Sequence, residues 1–342
     1  MYLSKKEIKK IILNQKTSIK NAIQNMNKSG LKIVLAVDEK KSLSGIIVDG
    51  DIRRGLIKNL NLNSPIKNIV SRNPKVIKKK IGDAEALEYM RSNNLIHLPL
   101  IDGKNIPSGL YTYKKDTKTT KINNHFIIMA GGKGTRLYPV TKTKPKALVK
   151  VYGKPMLEHI INNAKSCGFY NFTISIKHFG NKIKKYFQNG KKLNTKIEYI
   201  TENKPLGTAG SLYKFAKKKN QTVVVSNCDV ISDLDYSDVL KYHKKNNAIA
   251  TMVVMQHENT NPYGVVTAKG NKFLGYLEKP IRIERINAGI YVFETKVFKF
   301  IKKNKYLDMN IFFLNLLKQK KKIIVYPIYE KWQDFGQKKI KF

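Results

Sequence analysis

The residues of this chain best suited to handling an anion sit in one short stretch. Ala130-Gly131-Gly132-Lys133-Gly134-Thr135-Arg136 follows the apolar run Phe126–Met129, and Lys146 stands in the Lys144-Pro145-Lys146 segment shortly after. An apolar run of this length reads as a buried strand, here ending in a glycine-rich turn. Gly131, Gly132 and Gly134 are expected to take positive φ and to bring backbone N–H groups close to a ligand. That is how a loop cradles phosphate. Arg136 and Lys146 add two cations able to reach the same anion. A plain strand-to-helix turn has glycines too, so the loop needs company before it counts as a site.

Company comes from two carboxylates and a second turn. Asp229 follows the apolar run Thr222–Ser226 in Ser226-Asn-Cys-Asp229, and Asp334 stands in Trp332-Gln-Asp-Phe-Gly336. Each alone reads as a helix cap or turn former. Magnesium, however, binds through one or two carboxylates plus substrate phosphates and needs no all-protein cage. Pro205-Leu-Gly207-Thr-Ala-Gly210 is the second turn, with Glu202 just upstream. Strand candidates are Phe126–Met129, Phe172–Lys177, Lys196–Thr201, Thr222–Ser226 and Ala248–Met255. Helix candidates Pro155–Ser166, Lys182–Gln188, Thr208–Lys218 and Tyr236–Lys245 lie between them. This alternation predicts a mostly parallel sheet covered on both faces, with ligands at the carboxyl ends of its strands. A more β-rich region is expected around Gly264–Lys279 and Ala288–Glu294.

Taken in order from Asn124 to Gly336, these motifs closely resemble the sugar-1-phosphate nucleotidyltransferases. The resemblance implies a Rossmann-like α/β domain and a role for each motif. Ala130, Gly131, Gly132, Gly134 and Thr135 would bind the nucleotide's phosphates. Arg136 would carry charge on the leaving pyrophosphate, and Lys146 would reach the α-phosphate. Asp229 and Asp334 would hold Mg2+, while Pro205 and Gly207 would contact the base. Gly264, Glu278, Lys279 and Asn287 would contact the sugar phosphate, and the β-rich region would be the sugar-binding lid. Glu202 occupies a position where some relatives carry a glutamine. A carboxylate only accepts hydrogen bonds, which suits guanine's N1–H and N2 amino group and favours GTP. The other reading leaves Glu202 facing solvent, with the backbone alone reading the base. The chain ends six residues after Gly336, so no appended acyltransferase domain is expected.

Ahead of this domain, the first 120 residues contain a repeat offset by 62–64 positions. Ile19, Ala22, Val37-Asp38 and Gly45 recur as Ile81, Ala84, Ile101-Asp102 and Gly109. Each copy predicts a helix and two strands. The helices are Ile19–Met26 and Ala84–Arg91; the strands are Lys32–Val37 with Ser44–Val48, and His97–Ile101 with Ser108–Thr112. The segments "GIIVDGDIRRGL" and "IKNIVSRNPKVI" resemble the tandem cystathionine-β-synthase-type (CBS) module, an α+β fold that implies an adenine nucleotide between repeats and a homodimer. Asp51, in Val48-Asp-Gly-Asp51, matches that module's ribose-binding acid, although valine replaces its threonine. The second repeat has Thr112-Tyr-Lys-Lys115, with Asp116 one place off. A ligand-free packing module is the alternative. Boundaries of 1–120 and 121–342 are expected, with Lys114 to Asn124 as a polar linker.

The net charge of +42 invites a nucleic-acid reading. Seven arginines against 59 lysines argue against it, because phosphate- and base-reading surfaces favour arginine's bidentate fork. The lysines are also dispersed along the whole chain, as a solvated surface requires. Two cysteines, Cys167 and Cys228, imply neither a disulfide framework nor a zinc site. No leader-like or membrane-spanning run is legible, so no membrane partner and a cytoplasmic location are expected. A CBS pair joined to a nucleotidyltransferase resembles the glucosamine-1-phosphate guanylyltransferases of legionaminic acid biosynthesis. That implies GTP and glucosamine 1-phosphate as substrates. Mannose- or heptose-1-phosphate guanylyl transfer and uridylyl or thymidylyl transfer are the alternatives of the same class. A nucleotide sensor without turnover is the alternative of another class.

Overall fold

The computed structural model describes residues 2–93, 95–112, 121–216 and 221–336. The chain forms two compact units, Met1–Lys118 and Thr119–Phe342.

In the first unit the repeat takes the same form twice. Helix Ile19–Ser29 precedes strands Ile33–Val37 and Leu43–Val48; helix Asp83–Ser92 precedes His97–Ile101 and Pro107–Thr112. Both strand pairs are antiparallel, and the registers match: Ala36 faces Gly45 and Leu100 faces Gly109, each followed by a bulge. Ser18 caps the first helix by accepting from Asn21 N–H, and Gly30 ends it in the left-handed conformation. Leu35 and Leu43 from one copy pack with Ile101 and Leu110 from the other in a shared core. Most of the expected linker, and Lys114, Lys115 and Asp116 with it, lies outside the described residues.

The second unit is built on a seven-stranded sheet. Its strands are β1 (Phe126–Ala130), β2 (Asn171–Ile176), β3 (Lys196–Thr201), β4 (Thr222–Asn227), β5 (Ala250–Thr260), β6 (Ile281–Glu294) and β7 (Ile323–Ile328). Spatial order is β3-β2-β1-β4-β6-β5-β7, and only β6 runs against its neighbours. Helices α1 (Met156–Ser166), α2 (Gly180–Phe187), α3 (Tyr236–Lys245) and α4 (Met309–Lys318) connect and cover it. All five β1 residues are buried, and they divide by the two-residue period of a strand. Phe126, Ile128 and Ala130 join α1 and α3 in one core layer; Ile127 and Met129 join Phe293, Phe312 and Phe313 in the other. Burial on both faces is why β1 reads as an unbroken apolar run.

One expectation changes. The predicted helix Thr208–Lys218 is a 3-10 turn, Gly210–Phe215, with 217–220 outside the described residues. Ala209 and Gly210 N–H both donate to Leu307 O, at 2.9 and 3.2 Å, so the start of the turn is tied to a distant segment. The β-rich region expected around Ala288–Glu294 is present, as the buried half of fourteen-residue β6. Its exposed half pairs with the end of β5, beside the hairpin Val265–Lys269/Lys272–Leu277.

Candidate active site

From β1 the chain runs outward through β2 to β3, then returns to place β4 on the other side of β1. Such a reversal opens a crevice at the carboxyl ends of the strands, where open α/β sheets bind ligands. Gly131 follows β1, Glu202 follows β3 and Asp229 closely follows β4, so topology alone gathers three candidates at that edge.

Asp334 arrives by a local device. Strand Trp332–Asp334 pairs antiparallel with Val230–Ser232, setting Asp334 opposite Val230, and Phe335 N–H donates to Asp229 O at 2.9 Å. The flanking aromatics anchor this segment. Trp332 Nε1–H donates to Ala288 O at 2.9 Å, and Phe335 is buried among Leu137, Val149 and Met156. Lys146 then pairs with Asp229, both side chains being mostly buried. Gly336 marks the centre of the group. A Cβ there would lie 2.6 Å from Asp229 Oδ2, 2.7 Å from Asp334 Oδ1 and 2.7 Å from Lys146 Nζ. Two acids and one amine thus surround a spot that only glycine leaves open.

The glycine loop meets this group through Gly134. It has φ +68°, and a Cβ on it would be 3.2 Å from Lys146 Cβ. Thr141 Oγ1–H donates to its carbonyl at 2.7 Å. Positive φ was expected at Gly131 and Gly132 as well, and neither has it. Gly131 is required by proximity instead, because a Cβ would stand 3.0 Å from Glu202 Oε1. Gly132 has open space around it, so it meets neither demand. Arg136 and Thr135 are exposed, in the 3-10 turn Thr135–Leu137, and Arg136 makes no ion pair among the described residues.

Glu202 is buried, 7% exposed, which removes the solvent-facing reading. Its Oε1 accepts from Ser175 Oγ–H at 2.7 Å and its Oε2 from Leu206 N–H at 3.3 Å. It lines a cleft of about 300 Å³ together with Gly131, Gly132, Pro205, Gly207, Tyr306 and Asp308. Gly207, with φ +73°, allows the turn to touch the segment before α4: a Cβ would lie 2.5 Å from Leu307 O.

The nucleotidyl transferase family model matches residues 125–340, the span that builds this crevice. The chain belongs to the nucleotidyl transferase family. A UTP–glucose-1-phosphate uridylyltransferase from Synechocystis is 33% identical over 202 residues, covering 54% of this chain and 52% of that protein. A mannose-1-phosphate guanylyltransferase from Mycobacterium tuberculosis is 32% identical over 216 residues, covering 61% and 60%. The chain therefore spans between about half and three fifths of these curated relatives. The crystal structure of HddC from Yersinia pseudotuberculosis complexed with GMP-PN superposes with a TM-score of 0.51 at 23% identity, over 63% of this chain and 95% of that one, a likeness of fold.

Against this family's fold the remaining candidates are scattered. Glu278 and Lys279 are exposed at the end of the hairpin, where the Glu278 carboxylate accepts from Tyr276 Oη–H. At Gly264 a Cβ would meet the Tyr276 hydroxyl at 1.8 Å, the far end of an exposed side chain that is free to turn away. Asn287 Nδ2 donates to Tyr291 Oη at 2.8 Å, and its Oδ1 accepts from Gly289 N–H at 2.9 Å. Asp51, in the first unit, is buried; its carboxylate accepts from Val48 N–H at 2.8 Å and pairs with Arg54. Burial pushes the Cys228 thiol up to about 12, so it packs and is no nucleophile. No cluster of three or more His, Cys, Asp or Glu exists among the described residues. No helix among them is long and apolar enough to cross a membrane.

Sequence reasoning missed Tyr306, Asp308 and Lys177 in the cleft. Asp308 precedes an apolar helical run and reads as an N-cap; Lys177 was visible only as a strand end. Tyr306 carried no sequence signal.

Proposed function

We propose that this chain transfers a nucleotidyl group from GTP to a sugar 1-phosphate. The acceptor is α-D-glucosamine 1-phosphate, and the products are GDP-glucosamine, for legionaminic acid and surface glycans, and pyrophosphate. The observation that carries the reaction class is the convergence of Lys146, Asp229 and Asp334 around Gly336, against the Gly134 turn. In this reaction a sugar-phosphate oxygen bonds to the α-phosphorus while the α–β bridging P–O bond breaks. The nucleophile is already an anion, so the protein needs no general base, only placement and charge.

The chain's own groups fit those tasks. N–H groups of the Gly131–Thr135 loop take the β- and γ-phosphates, and Arg136, exposed and unpaired, is free to swing onto the departing pyrophosphate. Lys146, held by Asp229, places its ammonium at the α-phosphate. Two carboxylates with no soft donor fit magnesium, the remaining positions falling to phosphate oxygens and water. Bound there by Asp229 and Asp334, magnesium would neutralise phosphate charge. Gly264, Glu278, Lys279 and Asn287 serve the sugar phosphate from the lid.

Glu202 supports guanine. Its two oxygens are held from behind by Ser175 and Leu206, leaving acceptor capacity for N1–H and N2–H on one base edge. Glu202→Gln is expected to move the GTP/UTP ratio of kcat/KM towards UTP by about tenfold. An unchanged ratio removes Glu202 as a base reader. The glucosamine assignment is supported by the pairing of this domain with a CBS-like repeat. We read residues 1–120 as that tandem CBS module, a dimerisation unit able to take an adenine nucleotide at Asp51 once Arg54 lets go, and we place the protein in the cytoplasm.

Pyrophosphate release tests the whole reading, with magnesium, each common nucleoside triphosphate, and a panel including glucosamine, mannose and glucose 1-phosphates. Turnover confined to GTP with glucosamine 1-phosphate is expected. Turnover with another pair keeps the mechanism and changes the substrate; nucleotide binding without turnover leaves a sensor.

A further inference from the structure

A nucleobase held by its edge still has two π faces to cover, and stacking on an aromatic ring is a strong way to cover one. Among the described residues lining the Glu202 cleft, Tyr306 is the one aromatic. It is 63% exposed, yet everything around it is fastened. Its hydroxyl donates to Asp308 Oδ2 at 2.8 Å, and Asp308 Oδ1 accepts from Thr208 N–H at 3.2 Å. The backbone beside it is pinned to the Pro205–Gly210 turn: Leu307 N–H donates to Leu206 O, and Ala209 N–H to Leu307 O, each at 2.9 Å. Tyr213 Oη–H closes the other end on Asn304 Oδ1 at 2.9 Å. The Tyr306 hydroxyl is tied, while its ring stays in solvent within the cleft that Glu202 lines.

We infer that Tyr306 is a nucleobase-binding residue: its ring is the aromatic wall on which the substrate's purine stacks, and Asp308 is the positioning residue that holds it. The inference rests on the cleft being the nucleotide site and adds a specificity to it. A purine presents a larger face than a pyrimidine and gains more from the same ring. Because the ring is held before the base arrives, little ordering cost falls on binding.

The test is calorimetric titration of magnesium–GTP and magnesium–UTP into wild type, Tyr306→Ala and Tyr306→Phe, with steady-state kinetics on the same three proteins. Tyr306→Ala is expected to raise the Kd and KM for GTP about tenfold, a typical loss for one stacked base, while kcat stays within about twofold. UTP, with its smaller face, loses less. Tyr306→Phe keeps the ring and stays within about threefold of wild type, which separates stacking from the hydroxyl tether. If Tyr306→Ala binds GTP as tightly as a wild type that itself binds and turns over, this inference alone falls. If wild type takes up no nucleotide, the reading of the cleft falls with it.

Discussion

At the scale of single residues, the site is a matter of who stands within 3 Å of where a Cβ on Gly336 would lie. Asp229, Asp334 and Lys146 come from three separate stretches, and each would crowd a methyl group placed there. Gly336→Ala is therefore expected to cut kcat by about a hundredfold, because displacing charged groups by a fraction of an ångström costs transition-state stabilisation. Its melting temperature should stay within a few degrees of wild type, since Phe335 and Trp332 still anchor the segment. Turnover assays beside a thermal melt decide it, and full activity in the variant would show that the spot is not used. The sequence marked Asp229, Asp334 and Lys146 individually, and their order along the chain suggested a set. It gave no hint of the Lys146–Asp229 ion pair, because contacts so distant in sequence are written in packing, not in local pattern.

At the scale of elements, the predicted strands and helices mostly stand, and the miss at Thr208–Lys218 is instructive. The chain there is a 3-10 turn held against the segment at Leu307, because Gly207 and Gly210 let two backbones touch. Tertiary context overrides local preference where it offers better partners. In the first unit, strand His97–Ile101 opens on a largely buried imidazole whose Nδ1 has no hydrogen-bond partner among the described residues. Burial pushes its pKa down to about 4 from an ordinary 6.5. The unfolded chain then holds more protons between those values, so stability falls as pH falls. The contribution is fully present above pH 6.5 and lost as pH drops through about 4. Urea midpoints across this range should show a loss of up to about 3 kcal/mol. His97→Phe should flatten that slope; an unchanged slope would place the titration elsewhere.

For the whole molecule, a net charge of +42 surrounds the site of the proposed reaction, whose two substrates would both be anions. Long-range attraction raises the local concentration of such substrates and is screened by salt. Raising ionic strength from about 50 to about 500 mM should lower kcat/KM by about tenfold with kcat little changed. A flat response would confine the charge to solvation.

Composition, periodicity and motif order were enough to give the α/β class of the second unit, the repeat in the first and most of the candidate residues, because strand burial, turn glycines and internal repetition leave local signatures. The steric reason for Gly131 was not legible; it lies in the carboxylate of Glu202, which follows another strand. Nor was the role of Tyr306, an unremarked residue until folding ties its hydroxyl to Asp308 and leaves its ring over a cleft. Local sequence determines which elements form and which residues are chemically able. Which of them meet is decided by sheet order and by backbone contacts between distant segments, and only the folded chain contains those.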